Sequence, residues 1–239
     1  MATIHSGTAE FVLLVFSNLF FLLPAGLAYR KSLPYEGTVY LMMTIVSGWY
    51  HVEDTTDIRS PIGYRTAQTL DFFMAFSMIT RTALMVLFNA SKTEPDLEIQ
   101  RRNINIKLVA QTILDLLALA LVLENVSTKF LVMLLAIAVL VVVLAAVVWW
   151  RDTFGEIDIP DLVAGAGLMA LASLCYFLVP DGAYWIVHSL WHILSAFGIS
   201  LMVEAVDKQW SLFLWIWRCL TTCTCYSNTT TTPSKPDLL

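Results

Sequence analysis

Seven long apolar stretches, separated by short polar segments, constrain this chain more than any other feature of its sequence. Hydrophobic residues make up 58% of the 239 residues, charged residues only 14%, and the mean hydropathy is +0.71. A soluble domain of this size does not need so much apolar surface, whereas a transmembrane helix needs about 20 consecutive apolar residues. The sequence therefore predicts an all-α integral membrane protein with a seven-transmembrane helix bundle, its helices near 10–29, 35–51, 67–88, 106–123, 130–149, 162–179 and 184–203.

The distribution of basic residues sets the expected orientation, because loops rich in Lys and Arg stay in the cytoplasm. With the N-terminus outside, ten Lys and Arg residues fall in cytoplasmic segments, three fall outside, and Arg81 lies within the third stretch. An odd number of spans then places the C-terminus in the cytoplasm. The expected organisation is a transmembrane domain over 1–209 followed by a cytoplasmic Trp- and Cys-rich tail over 210–239, disordered towards its end.

Two histidines lie four residues apart in the last apolar stretch, where a lipid-facing helix would carry none. Residues at this spacing share one face of a helix, so His188 and His192 can reach the same metal ion. In the expected orientation the second stretch ends outside at His51, and the third stretch enters from outside with Asp71 near its start. We therefore expect these side chains at one depth, near the outer leaflet, where ionisable residues are costly and mark functional sites.

Three histidines at one depth suit a zinc ion that keeps a fourth position for water, so His51, His188 and His192 are the candidate ligands. Asp71 is a catalytic candidate that can orient a histidine or hydrogen-bond the metal-bound water. Ser47, one turn before His51, is a second catalytic candidate that projects to the same face. Zinc lowers the pKa of bound water to about 7, so such a site has the chemical capability of a hydrolase.

A purely structural role is the alternative for these polar residues. The histidines would then be interhelical hydrogen-bond partners of Ser47, Asp71 and Ser189. Arg81 in the third stretch is expected to pair with Asp115 in the fourth, or to extend its side chain to the cytoplasmic interface.

The motifs Ser47-x-x-x-His51, Asp71 in the third helix and His188-x-x-x-His192 in the seventh resemble the signature of a superfamily that includes the alkaline ceramidases and the adiponectin and progestin receptors. This resemblance implies zinc bound by the three histidines. Val39-Tyr40-Leu41 and Val187-His188-Ser189, together with the cysteine-rich end, resemble the myomaker family of muscle-cell fusion proteins within that superfamily. The resemblance implies a multi-pass protein of the plasma membrane, with the Golgi as a further location, that promotes fusion of muscle precursor cells.

Three cysteines follow an aromatic run in the predicted tail, at Cys219, Cys223 and Cys225. Juxtamembrane cysteines on an amphipathic cytoplasmic segment are typical sites of palmitoylation, and the resemblance to the myomaker family implies the same modification. Disulfides are not expected in the cytosol, and three cysteines without a nearby histidine make a poor zinc finger.

Two functions stay open at this point. The resemblance favours a cell–cell fusion factor, whereas the chemistry of the site favours a zinc-dependent intramembrane lipid hydrolase of the ceramidase type. The expected partners are membrane lipids and, for fusion, a second fusion protein or a matching copy on the facing cell. The aliphatic stretch 131–148 faces lipid or a second copy of this chain, so a homodimer is an alternative. A net charge of −5 without a basic patch argues against nucleic acid.

Overall fold

The computed structural model describes residues 3–56, 58, 61–89, 97–123, 157–177 and 183–206. These residues form seven α-helices: α1 (Thr3–Ser17), α2 (Leu22–Arg30), α3 (Pro34–Thr55), α4 (Tyr64–Asn89), α5 (Leu97–Leu123), α6 (Ile159–Phe177) and α7 (Tyr184–Ala205). A short 3-10 turn, Asn18–Phe21, joins α1 to α2. The described part of the chain contains no β-strand, and the predicted all-α class is confirmed.

Five segments of the described chain are long and apolar enough to cross a membrane: Gly7–Arg30, Tyr64–Phe88, Ile104–Leu123, Ile159–Tyr176 and Tyr184–Ala205. They coincide with the first, third, fourth, sixth and seventh predicted stretches, and they indicate a multi-pass membrane protein. The second stretch forms α3, which has 22 residues but a more polar composition than these five. The fifth stretch, 130–149, and the tail, 210–239, lie outside the described residues. The count of seven spans and their orientation therefore stay predictions.

Pro24 explains why the first span is interrupted by a 3-10 turn. Proline has no backbone N–H, and its ring clashes with the carbonyl four residues earlier, here that of Phe20. The chain accommodates it with one tighter turn at Asn18–Phe21 before α2 begins. This interruption lies directly after Ser17, a residue that is buried in the bundle together with Asn18.

The helices α3 and α7 occupy the centre of the described bundle. Helix α3 packs against α1, α2 and α4, while α7 packs against α1, α2, α4 and α6. The contact between α6 and α7 is a close crossing of two glycines. A Cβ atom built on Gly165 would lie 2.7 Å from the carbonyl oxygen of Gly198, and one built on Gly198 would lie 2.9 Å from the carbonyl oxygen of Gly165. Only glycine at both positions permits this approach of the two backbones.

Ion pairs hold the helices together at the end of the bundle where α2 and α7 finish. The Glu204 carboxylate is 3.0 Å from Lys31 Nζ and 3.4 Å from Arg30 Nη2, and Lys31 also donates to the Glu204 carbonyl at 2.9 Å. At the same end, Lys107 of α5 pairs with the buried Glu36 in the first turn of α3. Through these pairs, cations compensate the buried carboxylates of Glu36 and Glu204.

Arg81 of α4 pairs with Asp115 of α5, as the sequence predicts. Arg81 Nη2 lies 3.0 Å from Asp115 Oδ2. Gln111 donates to the other carboxylate oxygen of Asp115 at 2.7 Å, so this intramembrane charge is shared within a hydrogen-bonded group.

Candidate metal centre

The three predicted ligand residues come together between α3 and α7. His51 lies near the end of α3, and His188 and His192 lie near the start of α7 on one face of that helix. All three are buried, and one ring nitrogen from each lies within 4.8 Å of the other two. The rings are inclined to one another by 59° to 74°, so they face a common centre rather than stack.

Two ring nitrogens of this cluster are as far apart as two ligands of one tetrahedral metal ion. His51 Nε2 and His188 Nε2 are 3.2 Å apart. Two nitrogens bound to tetrahedral zinc at about 2.0–2.1 Å are separated by roughly 3.3 Å. A hydrogen bond between two neutral imidazoles has a similar length, so the remaining ring nitrogens decide between the two interpretations.

Hydrogen bonds alone do not satisfy this cluster. His192 Nε2 is buried and has no hydrogen-bond partner among the described residues, and the same holds for Nδ1 of His51 and of His188. Buried polar atoms are almost always paired, so three unpaired ring nitrogens in one cluster indicate a partner that the described residues do not supply. A metal ion held by the three Nε2 atoms accounts for His192 Nε2 directly. The residues therefore fit a three-histidine metal site.

The structure does not support the hydrogen-bond partners expected for a purely structural role. Ser47 Oγ and Ser189 Oγ are buried without a hydrogen-bond partner in the part of the chain that the structure describes. The histidine cluster is instead bonded to a serine of another helix, Ser17, the last residue of α1. Its Oγ lies 2.9 Å from His192 Nδ1.

Ser17 is the site residue that sequence reasoning missed. It is 4% exposed, and its hydroxyl reaches across the bundle from the first span to the seventh. A signal was present, because Ser17-Asn18 is a polar pair inside the otherwise apolar run 11–28. Polar residues at membrane depth are functional candidates, so this pair is a signal that the sequence alone contains.

Ser47 and Asp71 add polar side chains to the same end of the bundle. Ser47 lies one turn before His51 on α3 and is fully buried, and Asp71 of α4 is 4% exposed. The two side chains face each other where α3 packs on α4. Neither Ser47 Oγ nor Asp71 Oδ1 completes a hydrogen bond among the described residues. Apart from their contact with each other, the two oxygens have no partner among the described residues, so each has room for a further hydrogen bond.

Aromatic rings line the histidine cluster and fix its imidazole planes. His188 lies between Tyr184 and Trp191, with ring centroids at 4.9 Å and 5.6 Å and planes inclined by 27° and 28°. Tyr50 lies against His51 at 4.9 Å, and Phe21 contacts His192 edge to face at 6.0 Å. Rings packed in this way restrict rotation of the imidazoles, which keeps their nitrogens aimed at the centre.

Hydroxyl groups connect the cluster to the nearby end of the bundle. Tyr64 donates to the exposed Asp54 at 2.9 Å, the hydroxyls of Tyr64 and Tyr50 are 3.2 Å apart, and Gln68 donates to the Tyr50 hydroxyl at 3.3 Å. Tyr50 is the residue that packs on His51. A polar route therefore leads from an exposed carboxylate to the edge of the site.

The predicted lipidation sites Cys219, Cys223 and Cys225 lie outside the described residues, so their modification stays a prediction. The described part of the chain contains Cys175, which is a free thiol.

A family model matches residues 6–193, and that family is described as "Protein of unknown function (DUF3522)". The matched range includes the three histidines, Ser17, Ser47 and Asp71. No curated protein matches the chain.

Proposed function

The chain belongs to the DUF3522 family, described only as a protein of unknown function, and we propose that it is a multi-pass membrane protein with a three-histidine zinc centre that promotes fusion of muscle precursor cells. The observation that carries the zinc centre is the buried cluster of His51, His188 and His192, whose ring nitrogens lie within 4.8 Å of one another. The proposed location is the plasma membrane, where fusion takes place.

Zinc is proposed over other divalent ions because the donor set consists of three imidazoles. Calcium and magnesium prefer oxygen ligands, whereas imidazole suits zinc and the later transition metals. Three protein ligands leave a fourth position for water, and bound zinc supplies Lewis acidity and lowers the pKa of that water to about 7. The protein's own contribution is to keep the imidazoles fixed between aromatic rings and to hold Ser47 and Asp71 beside them.

Two sequence segments support the role in fusion, Val39-Tyr40-Leu41 and Val187-His188-Ser189, through their resemblance to the myomaker family. In the proposed topology the histidine end of the bundle faces the outer leaflet, which is the leaflet that merges first when two cells fuse. The proposed partners are membrane lipids and a second fusion protein or a matching copy on the facing cell. Acyl chains on the tail cysteines would hold that tail at the membrane surface.

A second function is favoured by the incompletely bonded oxygens of Ser47 and Asp71. A structural zinc site is normally closed by four protein ligands, and a pair of polar side chains beside three histidines is the arrangement of a catalytic site. The alternative is a zinc-dependent hydrolase that cleaves an amide or ester of a membrane lipid. Asp71 would accept a proton from the attacking water, and Ser47 would donate a hydrogen bond to the lipid carbonyl oxygen.

A cell-mixing experiment tests the fusion role. Fibroblasts that express the chain are mixed with fusion-competent muscle cells carrying a different cytoplasmic label, and cells with both labels are counted. We expect the wild type to fuse and His188→Ala, matched for surface expression, to lose most of that activity. His5→Ala is the matched control, because His5 is the one histidine of the sequence that is not among the three candidate ligands. Absence of fusion by a well-expressed wild type would contradict the proposal.

Lipid turnover separates the two functions. Purified wild type and Asp71→Asn are incubated with ceramides and with phospholipids, and released fatty acid is measured. A fusion factor whose zinc is structural gives no turnover from either protein. Release by the wild type that Asp71→Asn abolishes without losing zinc would favour the hydrolase.

A further inference from the structure

We propose that Ser17 is a positioning residue of the metal centre: its hydroxyl holds His192 in the tautomer that directs the Nε2 lone pair at the ion. This role presupposes the proposed zinc centre and adds to it a residue from the first span. The supporting observations are the hydrogen bonds of Ser17, the environment of His192 and the interruption between α1 and α2.

The direction of the bond between Ser17 and His192 follows from counting hydrogens. Ser17 Oγ lies 3.0 Å from the Leu14 carbonyl oxygen and 2.9 Å from His192 Nδ1. The serine hydroxyl has one hydrogen, and the Leu14 carbonyl oxygen can only accept, so both contacts are hydrogen bonds only when that hydrogen is directed at Leu14. Ser17 Oγ then accepts, and His192 Nδ1 donates. The Leu14 oxygen has two lone pairs, so the bond that it accepts from Asn18 Nδ2 at 2.8 Å does not compete.

The tautomer of His192 determines which nitrogen can bind a metal. A neutral imidazole carries one N–H, so a proton on Nδ1 leaves the lone pair on Nε2. His192 Nε2 is buried, and no residue of the described chain forms a hydrogen bond with it. The ring centroid of His192 lies 4.6 Å from that of His188 and 5.1 Å from that of His51. The other tautomer would point an N–H into this cluster and exclude a cation.

The interruption of the first span places Ser17 where this bond can form. Ser17 ends α1 and precedes the 3-10 turn that Pro24 causes. Both α1 and this turn pack against α3 and against α7, the two helices that carry the histidines. An N–H donor of a metal-binding histidine commonly bonds a carboxylate, a carbonyl or water, and here a serine oxygen takes that position.

Metal affinity and the tautomer are the two readouts. Full-length wild type, Ser17→Ala and Ser17→Thr are purified in detergent, and each is titrated with zinc against a competing chelator and with cobalt by visible spectroscopy. We expect Ser17→Ala to bind both ions about 10–100-fold more weakly, and Ser17→Thr to stay near wild type because it keeps the hydroxyl. Ser200→Ala is the matched control, because Ser200 is also a buried serine that donates to a helix carbonyl, and it is expected to bind normally.

Nitrogen-15 NMR of the metal-free wild type reports the tautomer without any substitution at Ser17. We expect the proton of His192 on Nδ1, assigned by the signals that are lost in His192→Asn. A proton on Nε2 would overturn the proposal even if Ser17→Ala failed to fold. If the wild type binds zinc and Ser17→Ala binds it equally well, Ser17 has no positioning role although the zinc centre stands. If a folded wild type binds neither zinc nor cobalt, the zinc centre itself is wrong.

Discussion

His51 Nε2 and His188 Nε2 lie 3.2 Å apart although 137 positions separate the two residues in the sequence. The contact joins the end of α3 to the start of α7. The distance suits two ligands of one ion as well as a hydrogen bond between the rings, and the unpaired His192 Nε2 beside them favours the ion.

Removal of the metal should destabilise the protein only when all three histidines are present. A ligand that binds the folded state alone stabilises it by about 2.7 kcal/mol at a free concentration of 100 times its Kd. We expect a chelator to lower the thermal unfolding midpoint of the wild type and to leave that of His192→Ala unchanged. Scans of both proteins with and without chelator check this, and an equal shift in the two would contradict a metal bound by His192.

Substituting Gly165 by alanine should force α6 and α7 apart. The new Cβ would lie 2.7 Å from the Gly198 carbonyl oxygen, and overpacking of this kind costs about 1–3 kcal/mol. Gly167→Ala is the control on the same helix, because a Cβ there meets no atom within 4 Å. The measurement is the free energy of unfolding in detergent. Equal stability of the two variants would show that the helices do not cross at Gly165.

Removing the buried Glu204 carboxylate should lower the free energy of unfolding more than removing the exposed Arg30 guanidinium. The Glu204 side chain is 1% exposed and that of Lys31 is 8% exposed, whereas that of Arg30 is 59% exposed. Removing one partner of a buried pair costs about 3–5 kcal/mol, and an exposed pair contributes about 0–1 kcal/mol. We therefore expect Glu204→Ala to unfold far more readily than Arg30→Ala. Introducing Lys31→Met together with Glu204→Met should recover much of the loss, and failure to do so would argue against this pairing.

Pro24→Ala tests whether the 3-10 turn serves the histidine cluster. Alanine restores a backbone N–H and removes the clash with Phe20, so a regular helix can run through Asn18–Phe21. We expect this regular helix to displace Ser17 and to weaken zinc binding, without loss of helical circular dichroism.

The effect of Pro24→Ala should be absent in the background of Ser17→Ala, because both changes act through one hydrogen bond. Zinc titrations of the two single variants and the double variant give this comparison. Additive losses would mean that Pro24 influences the site by another route.

The histidine cluster could be predicted from local spacing combined with the alternating direction of successive helices. The spacing of His188 and His192 fixes their shared face, and the run of apolar residues before His51 fixes its position near a helix end. The pairing of Arg81 with Asp115 was predictable for a related reason, since each charge needs a partner within the membrane. The bond from Ser17 to His192 could not be predicted in this way, because it depends on how a distorted turn in one span packs against another span.

The predicted second stretch is shorter than the observed helix α3, and the composition of α3 explains why. Its sequence reads as a short apolar stretch at 35–51, but the helix runs from Pro34 to Thr55 and carries polar side chains along its buried face. Hydropathy alone underestimates such a helix, because neighbouring helices and not lipid surround that face. The crossing of Gly165 and Gly198 is likewise a property of two packed helices and not of either sequence segment.

Helix α7 is attached to its neighbours by a different interaction at each end. Near its start lie the imidazoles of the histidine cluster, and near its end Glu204 forms an ion pair with Lys31. With the proposed metal bound, a chelator would act on the first attachment and leave the second intact. Depletion of metal would therefore loosen α7 at one end while the opposite end stayed anchored.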